Sequence, residues 1–382
     1  MYFDLEPKSS REDLYGFEEE LEKLLSLLRG RRAAAPLIRV VGLRRTGKTS
    51  LVRTALNESG LPHFTLNGRA FAEAPAIKVR SLLLLLEREL NEAIERQKKW
   101  RDKFLEVLEG IRWIKVDSKP PWIHFEWERP ERELDLLDIV YSLDRVAREN
   151  RTKFVLFIDE AQEFRKIKGY SLQSLMAYIY DEMRNLQMVV AGSQVGLLHD
   201  FLGVHRPDAP LYGRGMAEIR VPRISGERAV DFLTKGFEQA GMSPDRDLVE
   251  LAVGELDGIM GWLTLFGSRS VERGGPSKDV LRETVEKGAE LEVKELENFL
   301  QLRRQARQRY LRILKSSVRL RRASWTDLKA GLERDEGRAI ADNLFSDLIK
   351  NLVKGAFLER DEEGRYFVPD PILSRAIERI RA

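Results

Sequence analysis

Between residues 36 and 222, short apolar runs alternate with longer segments whose apolar positions recur three and four apart. The runs Leu37–Val41, Pro62–Gly68, Phe154–Ile158 and Met188–Ser193 have the length and composition of strands. Phe154–Ile158 is wholly apolar, which predicts a central strand covered on both faces. Ser50–Leu56, Ser81–Gly110, Leu134–Glu149 and Leu172–Asn185 carry the helical period between them. Ahead of the first strand, a turn at Leu14–Phe17 leads into an amphipathic helix that ends near Gly30. After the break at Lys119-Pro120-Pro121, Trp122–Trp127 alternates like one more strand. Strands alternating with helices predict an α/β unit: a parallel sheet with helices on both faces.

The pattern then changes twice. Residues 223–300 read as helix throughout, interrupted at Gly274-Gly275-Pro276. From residue 301, Ala306–Lys315, a segment capped by Ser324 and Ala339–Leu352 read as three helices. Ala356–Arg360 and Arg365–Val368 flank Asp361-Glu362-Glu363-Gly364, a hairpin signal. Three helices followed by a hairpin predict a winged helix-turn-helix, so the expected division is 1–222, 223–300 and 301–382.

Chemistry enters at the end of the first strand. Gly42-Leu43-Arg44-Arg45-Thr46-Gly47-Lys48-Thr49 is a complete phosphate-binding loop, set between a strand and a helix as that motif requires. Its glycines let backbone N–H groups close around phosphates, and the helix N-terminus favours the anion. Lys48 would reach the β- and γ-phosphates and Thr49 would ligate Mg²⁺. Gly42, Arg45, Thr46, Gly47 and Ser50 complete the candidate contacts. Either Arg44 or Arg45 can instead brace the helical segment, because Lys48 already serves the phosphates. At the end of Phe154–Ile158, Asp159 would hold Mg²⁺ through water and Glu160 would polarise an attacking water. No guanine-reading Asn-Lys-x-Asp stretch occurs, which favours ATP.

Composition removes several classes. With no cysteine there is neither a disulfide nor a thiolate metal site, and the four histidines lack ligand spacing. No apolar run is long enough to span a membrane, and the N-terminus lacks a basic secretory n-region, so a cytoplasmic protein is expected. Net charge is only +3, yet residues 301–382 carry about +7 and the rest about −4. Arg303–Arg322 holds nine basic residues and no acidic one, which points to a partner of the C-terminal part.

The phosphate loop with its paired arginines, Asp159-Glu160, Leu211-Tyr212-Gly213-Arg214 and Gly258–Leu263 together resemble the archaeal ATPase family, in the signal-transduction (STAND) branch of AAA+ P-loop proteins. The likeness spans nearly the whole chain: a nucleotide-binding core, a helical lid and a winged helix. It implies that Tyr15 and Gly16 lie near the adenine, that Ser193 senses the γ-phosphate and that Arg214 neutralises transition-state charge. Two departures stand out: the Gly258–Leu263 turn has no sensing arginine, and Met260 stands where relatives often have proline. The implied function is an ATP-hydrolysing conformational switch. The alternative is a nucleotide-gated binder of duplex DNA, of the replication-initiator type, working through its basic winged helix. A third class is a signalling scaffold that uses a protein partner or self-association, with Arg214 acting across subunits. Against DNA, Ala339–Leu352 offers only Lys350 beside Asp342 and Asp347. The basic run can equally be a solvated face, or dock on the acidic remainder.

Overall fold

The computed structural model describes residues 1–111, 113–126 and 136–380. The chain begins with α1 (Glu18–Arg29), β1 (Leu37–Val41), α2 (Lys48–Ser59), β2 (His63–Asn67) and the short β3 (Ile77–Lys78). There follow α3 (Val79–Arg96), α4 (Lys98–Glu109), β4 (Ile114–Val116), β5 (Ile123–Phe125) and α5 (Leu136–Glu149). The unit continues with β6 (Phe154–Asp159), β7 (Ile167–Lys168), α6 (Leu172–Glu182), β8 (Leu186–Gly192), α7 (Val195–Leu202) and β9 (Ala217–Arg220).

Five of these strands form a parallel sheet in the order β2-β6-β8-β1-β9. Every residue of β6 and β8 is buried, as uniformly apolar strands inside a parallel sheet should be. Alternation along β6 assigns its faces. Phe154, Leu156 and Ile158 pack with the α3–α6 layer, whereas Val155 and Phe157 pack with α1 and α2.

Four helices follow: α8 (Gly226–Gln239), α9 (Arg246–Leu256), α10 (Met260–Glu272) and α11 (Lys278–Gln301). Their Phe232, Phe237, Trp262 and Phe266 join the same cluster as Val155 and Phe157, so this layer closes over the α1–α2 side. The C-terminal part contains α12 (Arg307–Leu320), α13 (Trp325–Glu336), α14 (Asp342–Lys354), β10 (Glu359–Arg360), β11 (Tyr366–Phe367) and α15 (Pro371–Arg379). Ser324 and Asp327 make a capping box at the start of α13, and β10 pairs antiparallel with β11 as the wing.

Two expectations need correction. The single helix over Ser81–Gly110 is two, because Gln97 (φ −102°, ψ 61°) leaves the helix. Its side chain instead accepts the His63 backbone N–H at 3.0 Å, an edge hydrogen bond that compensates the break. The strand after Lys119-Pro120-Pro121 does not enter the main sheet: β5 pairs antiparallel with β4 in a separate hairpin. Trp127, Leu134 and Asp135 lie outside the described residues. One element goes beyond the expected winged helix: α15 continues past the wing. It turns back so that Ile372 and Ala376 enter the sheet–helix core while Leu373 and Ile377 enter the C-terminal core. Among the described residues no helix is long and apolar enough to cross a membrane.

Candidate functional site

Gly42 follows β1 and passes so close to β9 that a Cβ there would lie 2.4 Å from the Val221 carbonyl oxygen. The loop turns through positive φ at Arg45 (61°) and Gly47 (100°), and α2 begins at Lys48. The Phe17 ring lies beneath Gly47, where a Cβ would sit 3.1 Å from it. Inside the loop Thr46 Oγ1 donates to the Leu43 carbonyl at 2.9 Å, and Lys48 Nζ donates to the same oxygen. Lys48 is buried. Burial pushes its pKa down to about 8, against the opposing pull of the Glu160 and Asp159 charges.

The acidic end of β6 meets this loop. Thr49 Oγ1 donates to Asp159 Oδ2 at 2.8 Å. Burial, then the Glu160 charge beside it, raise the Asp159 carboxyl above its ordinary value. Glu160 takes a left-handed conformation (φ 46°, ψ 47°), a strained one for a residue with a side chain. Its carboxylate accepts from Ser193 Oγ at 2.7 Å and from Gln162 Nε2 at 2.6 Å. Burial acts to raise the Glu160 carboxyl, but Lys48 and these two donors outweigh it and hold the group below its ordinary value. Two oxygen donors held within a hydrogen bond of each other, Thr49 and Asp159, suit a hard cation such as Mg²⁺.

These groups open on a cavity of about 600 Å³ lined by the loop, the N-terminal segment and the helical layer. Tyr15 and Phe17 line it opposite Met260 and Trp262. The Tyr15 ring tilts against Phe232 at 5.3 Å, and its hydroxyl donates to Asp231. Gly16 (φ 81°) makes the turn beside it, against Ile224. The N-terminal segment reaches the loop through the Lys8 N–H, which donates to Ser50 Oγ at 3.1 Å.

Glu160, Lys48, Thr49 and Ser193 thus line one cavity, together with Ser50, Gly47 and Tyr15. Gly42, Thr46 and Asp159 support its wall from behind. Arg44 and Arg45 turn toward α11: Arg44 pairs with Glu295, and Arg45 Nη1 lies 3.3 Å from Glu295 and 3.4 Å from Glu292. Arg214 lies elsewhere. Its guanidinium pairs with Asp181 and donates to the Pro210 carbonyl, and it is not among the described residues lining the cavity. Arg269 pairs with Glu283 within the helical layer. Sequence reasoning missed Gln162, the part of the N-terminal segment from Asp4 to Lys8, and Arg69, which lines the cavity where Gly68 packs against the Glu160 backbone. Gln162 could have been suspected from its position two residues beyond the acidic pair. The N-terminal segment carries no motif.

Residues 13–189 match the family of AAA ATPase domains, and residues 304–368 match the MCM protein C-terminal winged helix-turn-helix domain. The fold and the site therefore define an AAA-type P-loop ATPase that ends in a winged helix. Among solved structures, the Walker-type ATPase paby2304 of Pyrococcus abyssi is 31% identical, with 99% of this chain and 100% of that one covered and a TM-score of 0.80. The chain belongs to this family of AAA-type Walker ATPases. The ORC2 protein of Aeropyrum pernix, solved as ADPNP–ADP complexes, shares the fold at 13% identity, with 98% and 97% covered and a TM-score of 0.59. Comparison with curated proteins gives no match.

Proposed function

We propose that the protein is a slow, Mg²⁺-dependent ATP hydrolase whose nucleotide state repositions the helical layer (223–300) and the winged helix (301–382) relative to the core (1–222). The observation that carries this reading is the half-buried Glu160 carboxylate, held by Ser193 and Gln162 at the cavity that Lys48 also lines. Glu160 accepts the proton of the attacking water. Ser193 is a positioning residue that holds the carboxylate and lies where a γ-phosphate would be felt. Lys48 bears on the β- and γ-phosphate oxygens in place of the Leu43 carbonyl. Thr49 and, through water, Asp159 would hold Mg²⁺, which when bound would neutralise charge that develops on those oxygens. Tyr15 and Gly16 shape the adenine end. Arg45 serves the helical layer more directly than the phosphates. Arg214 reaches a nucleotide only across a subunit boundary or after movement of its loop, as the STAND likeness would require.

The expected outcome for Lys48→Ala is nucleotide affinity about tenfold to a hundredfold weaker, read by titration with a fluorescent ATP analogue. Unchanged affinity would remove the loop from the account.

A second reading, binding to duplex DNA, is supported by Arg304, Arg319 and Arg321, which are exposed and have no ion-pair partner among the described residues. Other members of the basic run are already engaged: Arg307 with Glu297, Arg309 with Glu336 and Arg322 with Asp361.

A further inference from the structure

Arg45 ties the phosphate loop to the helical layer through its backbone and its side chain. Its carbonyl accepts the Gly261 N–H at 2.8 Å, and a Cβ on Gly261 would lie 2.7 Å from Arg45 Cβ, so the loop and the start of α10 are in direct contact. Its guanidinium lies over the Trp262 ring, 4.2 Å from the centroid. Trp262 is only 1% exposed, yet its indole Nε1–H has a partner, donating to Asp370 Oδ2 at 2.9 Å. The other oxygen of Asp370 accepts the Ile372 N–H at 2.7 Å and so caps the first turn of α15. A cation on the phosphate loop, an indole in the helical layer and a carboxylate at the start of the last helix thus form one continuous buried contact.

Two further observations say that this contact is more than packing. Glu292, only 3% exposed, has an Oε1 with no hydrogen-bond partner, although Arg45 Nη1 is 3.4 Å away. A buried carboxylate oxygen left short of a donor is costly, and a small shift of Arg45 would satisfy it. In addition, α15 belongs to two cores at once, through Ile372 and Ala376 on one side and Leu373 and Ile377 on the other. A movement received at its N-terminus is shared with the winged helix.

We propose that Arg45, Trp262 and Asp370 form a relay, in which Trp262 and Asp370 are positioning residues for the phosphate loop and carry its occupancy to α15. The relay rests on the reading that the loop binds ATP, and it names the path by which that occupancy reaches the C-terminal part. It also bears on the missing lid arginine: here the loop supplies the arginine and the helical layer supplies the aromatic and acidic partners. Asp370 is not among the cavity-lining residues, so any effect of changing it on nucleotide affinity is indirect, through the Trp262 indole or through its charge acting on Arg45.

The test uses the full chain and two substitutions that break the link while sparing the fold. Asp370→Asn leaves one oxygen to cap α15, a position that Asn fills as well as Asp, but replaces the oxygen that accepts the Trp262 N–H with an NH₂ group. Trp262→Phe keeps an aromatic ring beneath Arg45 and removes the N–H. Affinity for ADP and for a non-hydrolysable ATP analogue is measured by calorimetry, and amide hydrogen exchange of residues 371–377 is followed with and without nucleotide. In the unsubstituted protein the analogue should change exchange of the α15 first turn by about fivefold or more. Each substitution should abolish that response and alter nucleotide affinity, and the double variant should be no worse than the single ones, because all three cut one link. If the unsubstituted protein binds the analogue but α15 does not respond, or if both variants respond as it does, the relay is overturned. If no nucleotide binds at all, the ATPase reading fails and the relay falls with it.

Discussion

At the scale of single residues, the site is organised around carboxylates whose environments differ. Asp159 is tied to Thr49, and burial together with the neighbouring charge raises it; Glu160 is held down by Lys48 and two donors. The two carboxylates thus differ although they are adjacent in sequence; in the function proposed above, Asp159 serves the cation and Glu160 the proton. Glu160, in its left-handed conformation, accepts from Ser193, while its own N–H donates to Asp159 Oδ1 at 3.0 Å. Ser193→Ala should therefore lower turnover by about tenfold, the loss expected when a hydrogen bond to a charged group is removed, with little change in nucleotide affinity. Comparing kcat with the dissociation constant checks this, and a loss of affinity with kcat intact would assign Ser193 a different role.

Among the elements, those that sequence made legible have their chemistry and hydrophobic period in agreement. β1 and α2 frame a motif that needs a strand on one side and a helix on the other. β6 is apolar at every position up to Asp159, so burial on both faces could be read from its composition. Less legible were elements defined by distant partners. The break at Gln97 depends on the His63 backbone 34 residues away, and nothing local marks it. α15 is short, and its N-cap Asp370 gains meaning from Trp262, 108 residues earlier in the chain. The basic run divides between roles that the sequence left open: Arg307 and Arg309 are clamps on nearby acids. Arg309 and Glu336 show this most clearly, with paired contacts of 2.6 and 2.9 Å joining α12 to α13. Arg309, with help from Arg338 and against the cost of burial, pulls the Glu336 carboxyl down to about 2. A carboxyl lowered on folding contributes stability above its unfolded value of 4.5, and that contribution is lost as pH falls toward 2. Glu336→Gln should thus cost about 1–2 kcal/mol at neutral pH and almost nothing near pH 2. Thermal or urea unfolding at several pH values reads the difference, and a cost that does not fade with acid would mean that packing dominates over charge.

At the scale of the molecule, α15 ties the sheet–helix core to the C-terminal core, and the nucleotide cavity lies where the sheet, the N-terminal segment and the helical layer meet. α14 is docked rather than free. Lys354 at its end pairs with Asp200 of α7 at 2.6 Å, and Gly196 approaches the Lys354 backbone so closely that a Cβ would lie 2.6 Å from its Cα. Duplex DNA, if it is the partner, would first meet the exposed cations of α12 rather than this helix. Replacing Arg319 and Arg321 with Gln should then weaken DNA binding and reduce the salt slope by about one for each phosphate left without its cation. Salt-dependent titration measures both, and indifference would leave a protein partner as the better account of the C-terminal charge. The central claim, that this arrangement hydrolyses ATP and does so through Glu160, is tested most directly by steady-state ATP turnover of the purified protein beside Glu160→Gln. The account predicts measurable turnover that falls by about 10² or more in the variant while nucleotide affinity is retained. Equal turnover in the two proteins would contradict it.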